Sequence, residues 1–206
     1  MSELLKSVIE QVGIFLLDKE YSKKGKDSFI KKAKENGREE IITFSERKGR
    51  GNFSNYVYIG VTSSIYYRKV NALDKKIIKD FLNSYPIISG SIGYYKDSDS
   101  GFISIPMNSF EQTDEVSEII IANIEQGAFN LFNTYPDLKS IISGIEKNDE
   151  WLKDYSKFLD FRKSIRLAAI YCIEKGKEYA ISWFSNSQLE TEEQKKEVLS
   201  SMEREW

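Results

Sequence analysis

Histidine is absent from the 206 residues, and Cys172 is the one thiol. Imidazole and paired-thiol chemistry therefore fall away first. The chain can build no Ser-His-Asp triad, no Cys-His pair, no His-bearing zinc site, no internal disulfide and no multi-Cys cluster. Cys172 sits in the apolar helical run Ala168-Ala-Ile-Tyr-Cys-Ile173, where a thiol behaves as a small hydrophobe and Lys175 is the nearest cation along the helix. Serines are plentiful, but no Gly-x-Ser-x-Gly elbow exposes one. Lys48-Gly49-Arg50-Gly51 is basic and glycine-rich, yet a strand pattern follows where a phosphate loop needs a helix, so it reads as a hairpin tip. Asp97-Ser-Asp99-Ser-Gly101 opens like a calcium loop. Phe102 then occupies the sharp-turn glycine position and Asn108 the closing acid, which leaves a turn. These residues predict no catalytic, cofactor-binding or metal-binding side chain, and no cofactor. Acids drawn from distant positions keep a magnesium- or carboxylate-dependent enzyme as an alternative.

Charge is the feature that does carry a pattern. Thirty Lys and Arg face 32 Asp and Glu, a net of −2, which is no nucleic-acid footprint for the chain as a whole. Locally the balance swings. Residues 19–50 hold 11 bases and six acids, a net of +5; residues 111–150 hold two bases and nine acids, a net of −7. The acidic stretch is expected to meet a basic protein partner through Glu111, Asp114, Glu115, Glu118, Glu125, Asp137, Asp149 and Glu150. The basic stretch, with Phe29, Phe44, Phe53, Tyr56 and Tyr58 interleaved, supports the other alternative, a nucleic-acid binder. Without histidine, little side-chain charge should change between about pH 6 and 8 unless a buried group is strongly shifted.

The elements that position these groups follow from apolar spacing. Ser2 caps a helix over 2–17, with Leu4, Leu5, Val8, Val12, Phe15 and Leu16 at three- and four-residue steps. A polar turn spans 19–26. Strands are predicted around Phe29 and Ile30, over 39–47 and over 53–61, and a second hairpin over 87–95 and 101–107 turns at 96–100. A helix over 74–83, opening near Asp74, lies between them and stops before Pro86. Helices then fill 114–132, from Pro136 to about Glu146, 150–175, 177–184 and, behind the capping pattern Thr191-Glu-Glu-Gln194, the last residues to about Arg204. The class is α+β: an N-terminal helix, an antiparallel sheet of about five strands and a helical C-terminal half. One domain over 1–206 is expected, with lobes over 1–110 and 111–206. No apolar run approaches a membrane span and no signal peptide opens the chain, so a cytoplasmic setting is expected.

Residues 3–61 resemble a family of small bacterial α+β proteins of unknown function. The resemblance lies in the N-terminal helix, Tyr21-x-x-Lys24-Gly25-Lys26 with Phe29, the strand with Ile42 and Phe44, and Tyr56-Val-Tyr-Ile-Gly-Val61. It implies an antiparallel sheet, no known catalytic residues and, at times, a gene beside a toxin gene. Together with the acidic stretch, it leads to the expectation of a non-enzymatic protein-binding module, for instance an immunity-type inhibitor of a bacterial toxin.

Overall fold

A computed structural model describes residues 1–33, 37–77, 85–92, 104–152, 161–187 and 191–206. The class is α+β, with the predicted N-terminal helix, antiparallel sheet and helical C-terminal half. The chain folds into two compact units that do not follow chain order. The first comprises Met1–Ala33, Glu39–Ile65 and Ser89–Thr134; the second comprises Lys34–Arg38, Tyr66–Ile88 and Tyr135–Trp206.

In the first unit, helix α1 (Glu3–Asp18) begins where the Ser2 hydroxyl accepts the Leu5 amide at 3.1 Å. The strands are β1 (Ser22–Lys24), β2 (Ser28–Lys32), β3 (Arg38–Lys48), β4 (Val57–Tyr67), β5 (Ile88–Ser91) and β6 (Ser104–Met107). The path is β1-β2-β3-β4-β5, with β6 also paired to β4. Alternation sends Ile42 and Phe44 of β3, Ile59 and Val61 of β4, and Ile105 and Met107 of β6 into the core. Burying each such side chain contributes on the order of 1.5–3 kcal/mol. Helix α3 (Thr113–Asn123) packs against α1. A π-helical turn, Ile124–Ala128, then joins α3 to helix α4 (Phe129–Thr134).

The second unit holds α2 (Arg68–Ile77), α5 (Leu138–Glu146), α6 (Phe161–Lys175), α7 (Lys177–Ser185) and α8 (Glu192–Glu205). Gly176, at φ 95°, takes a backbone conformation that would strain other residues and so separates α6 from α7. Ile165, Ala168, Phe184, Val198 and Met202 form one buried cluster from α6, α7 and α8. The predicted capping pattern closes on itself: Thr191 accepts the Gln194 amide at 3.3 Å, and Gln194 accepts the Thr191 amide at 3.3 Å.

Several boundaries differ from the sequence reading. Residues 22–24, within the predicted turn, pair with β2 as a strand. β4 starts at Val57 rather than residue 53, because a 3₁₀ turn over Gly51–Phe53 takes the preceding residues, and it runs on to Tyr67. The helix predicted to open near Asp74 opens at Arg68, directly after β4, so Asp74 lies inside it on the buried stripe with Val70 and Asn71. β5 and β6 do not form a hairpin with each other among the described residues; both lie along β4, whose length offers two pairing stretches. Helix 114–132 is broken by the π turn. Pro136 precedes rather than enters its helix, since Asp137 is the cap. A 3₁₀ turn, Glu150–Leu152, and α6 stand within the span predicted as one helix over 150–175. The calcium-like turn at 96–100, the helix residues Phe81 and Leu82, and Tyr155 and Phe158 lie outside the described residues.

Candidate functional site

The acidic stretch becomes a surface on α3. Ser109 and Gln112 form a capping box before the helix, and the Ser109 hydroxyl also hydrogen-bonds Glu111 and holds its carboxyl below the usual range. Val116, Ser117, Ile120 and Asn123 are buried. The opposite stripe falls to Glu111, Asp114, Glu115 and Glu118, all exposed, because three- and four-residue steps stay on one helix face. Glu125 continues it on the π turn and is also exposed. Asp114 and Glu115 lie in the first turn, where the helix dipole favours carboxylates. The Gln11 amide donates to Asp114 at 3.0 Å, tying the stripe to α1. Phe110 and Ile119 stand exposed among these acids.

The other three predicted acids belong to the second unit. Asp137 caps α5, accepting the Ser140 amide at 2.8 Å. Asp149 accepts the Trp151 amide at 3.1 Å and starts a 3₁₀ turn. Glu150 opens that same turn; its side chain lies outside the described residues. Two of these acids thus serve as backbone caps, which a count of charges does not reveal.

The stripe leads to a cleft that sequence reasoning missed. One turn beyond Glu125, Phe129 borders a hollow of about 470 Å³ at the C-terminal end of α1, shared with Asp18, Lys19, Glu20, Tyr21, Lys31 and Glu40. The π turn sets the rotation of Phe129, whose ring stacks between Phe15 and Tyr21, at 6.0 Å from each. Such inserted turns recur at functional sites. Glu20 turns the chain with a left-handed backbone, φ 67°. Its carboxylate pairs with Lys31 at 2.9 Å, which lowers its pKa. Tyr21 donates its hydroxyl to Glu40 at 2.6 Å. A signal was present in the sequence: Lys31 and Glu40 carry opposite charges on adjacent strands, and the register places them directly opposite.

A second missed cluster is buried in the second unit. Asp74 of α2 is 2% exposed and accepts the Arg166 Nε of α6 at 2.8 Å. Arg166 also donates to the Pro86 carbonyl at 3.1 Å and lies 5.5 Å from the Tyr85 ring centre. Burial outweighs the attraction of Arg166 and pushes the Asp74 carboxyl up to about 6. Cys172 is half-buried on α6, and burial raises its thiol pKa, which disfavours the nucleophilic thiolate.

Among the described residues no group of three His, Cys, Asp or Glu is placed to hold a metal ion. No described helix is long and apolar enough to cross a membrane. The chain matches no protein-family description, no curated protein and no solved structure.

Proposed function

We propose that this chain is a protein-binding module whose partner presents a basic surface, for instance an immunity-type inhibitor that covers a basic toxin. The observation that carries the reading is the alignment of Glu111, Asp114, Glu115, Glu118 and Glu125 on one exposed face, with Phe110 and Ile119 exposed among them. Charge supplies steering and register, while exposed apolar side chains supply area to bury. The face continues into the cleft beside Phe129, where Asp18, Glu20 and Glu40 outnumber Lys19 and Lys31. A basic side chain from the partner fits there better than an acidic one.

The test is capture from native cells by the wild-type chain and by a variant carrying Glu111→Lys, Glu115→Lys, Glu118→Lys and Glu125→Lys. A partner retained by the first and lost by the second is the expected result. With that partner purified, the variant should associate at least about tenfold more slowly at low salt, as steering by complementary charge predicts. Equal capture and equal association rates would remove the acidic face from the interface.

A further inference from the structure

The basic stretch is reorganised by folding into something narrower than the sequence indicates. Phe29 and Phe44 leave the set of surface aromatics: both are buried and meet edge to face, 6.1 Å apart, in the core. Phe53, Tyr56 and Tyr58 remain at the surface, Phe53 with 58% of its area exposed.

Their setting is a built one. The Gly49 amide donates to the Tyr56 carbonyl at 2.8 Å, and the Ser45 hydroxyl donates to the Gly60 carbonyl at 3.3 Å. Antiparallel pairing that joins 49 to 56 and 45 to 60 places Arg47 opposite Tyr58. Arg47 accordingly lies over the Tyr58 ring, 5.4 Å from its centre. On the other side of β4, Pro106 pairs with Tyr58 and Ser104 with Gly60. The outer face of β3, β4 and β6 thus carries a row Arg47–Tyr58–Pro106 and, beside it, a row Ser45–Gly60–Ser104. Gly60 has no side chain, so the second row is hollow in the middle. Beyond the first row, the tip folds back as the 3₁₀ turn Gly51–Phe53 and sets the Phe53 ring edge-on to Tyr56 at 6.1 Å. This return is close. A Cβ on Gly49 would lie 1.8 Å from the Phe53 carbonyl oxygen.

Two hollows result, and they share Arg47 and Tyr58. One, of about 310 Å³, is completed by Lys48, Gly49, Arg50 and Phe53; the other, of about 230 Å³, by Ser45, Glu46, Gly60 and Ser104. No carboxylate of the described residues pairs with Arg47, Lys48 or Arg50. Glu46, the nearby acid, is already engaged: it accepts the Ser2 amide and hydroxyl and pairs with the N-terminal ammonium at 3.2 Å. The three cations therefore keep their charge available beside the exposed Phe53 ring and the half-buried Tyr56 and Tyr58. Cations that track phosphates and rings on which bases stack are the two requirements for holding a nucleic-acid strand.

We infer that the outer face of β3, β4 and β6, with the Lys48–Phe53 tip, binds nucleotides presented along a single strand, stacking bases on Phe53 and Tyr58 and holding phosphates with Arg47, Lys48 and Arg50. This site shares no residue with the acidic face of α3, so either can fail without the other.

Anisotropy of a labelled eight-nucleotide oligothymidylate with the full chain tests it at low salt. Phe53→Ala, an exposed position, should weaken binding at least about fivefold, as loss of one stacked base does. Phe53→Tyr should restore it. Arg50→Ala should also weaken binding, and three phosphate contacts should give a log–log salt slope of roughly −2. Adenosine monophosphate separates a strand from a free nucleotide: the octamer binding at least tenfold more tightly supports the strand, and equal affinity overturns it in favour of the mononucleotide. Absence of binding to both overturns the site. So does binding that Phe53→Ala leaves unchanged, or that a polyglutamate peptide displaces as effectively as the oligonucleotide, since plain charge attraction would then account for it.

Discussion

Asp74 is a side chain whose environment departs far from what its type implies. Its Oδ2 is held by Arg166 at 2.8 Å, while Oδ1 is buried without a hydrogen-bond partner among the described residues. The folded-state pKa of about 6 lies above the unfolded value of 3.8. The proton is therefore held more tightly in the folded chain. The stabilisation that Asp74 contributes is fully present below pH 3.8 and is lost as pH rises through about 6. The shift corresponds to about 3 kcal/mol between those limits. Urea unfolding at pH 4, 5, 6 and 7 should show wild-type stability falling, relative to Asp74→Asn, across that interval. Parallel curves would mean that Asp74 does not titrate there. Arg166→Met is expected to cost about 3–5 kcal/mol at pH 7, since it strands a buried carboxylate. Adding Asp74→Leu should recover much of that loss.

Short-range chemistry sets most of the elements. Ser2 shows the rule with an addition. Its hydroxyl caps α1, and its amide and hydroxyl also donate to Glu46 of β3, so one residue joins a helix start to a strand end. Ser2→Ala should lower stability by about 1–2 kcal/mol, more than an isolated cap, as read by thermal unfolding. Gly144 of α5 is a second element-scale constraint. A Cβ there would lie 2.6 Å from Leu152 Cδ1 and 2.9 Å from the Tyr135 ring, both in the second unit. Gly144→Ala should cost about 1–3 kcal/mol through overpacking, despite the better helix propensity of alanine. An unchanged melting temperature would show that Leu152 and Tyr135 can move aside. The caps of α1 and α8 and the periods of α1, α7 and α8 were legible because partners lie within four residues. The π turn and the start of α2 were not, because distant packing decides them.

The charge of the whole molecule is nearly balanced, at −2, yet four exposed acids share one face of α3 and three bases line the tip after β3. The acidic face of α3 and the basic tip after β3 both act at long range, so both should be sensitive to salt. Association of the proposed protein partner with the wild-type chain should slow several-fold between about 20 and 200 mM salt, as the screening length shrinks to about 7 Å. The four-lysine variant of α3 should lose that dependence. A rate independent of salt in the wild type would place the interface elsewhere. The absence of histidine also acts at this scale. Above about pH 7, where Asp74 is ionised, stability should stay flat to pH 8.

The amino-acid order alone determined the α+β class, the capped starts of α1 and α8, the core faces of β3 and β4, and the exclusion of imidazole and internal-disulfide chemistry. Those follow from residue type and from periods of two and 3.6, which are local. Tertiary structure decided which charges can act. It left Glu111, Asp114, Glu115, Glu118 and Glu125 on one open face. It withdrew Phe29 and Phe44 into the core and set Arg47 against Tyr58. It also buried Asp74 against Arg166, 92 positions away in the chain. The reason is common to all of them: desolvation, strand register and pairing depend on neighbours brought from far along the chain, and no local period encodes those neighbours.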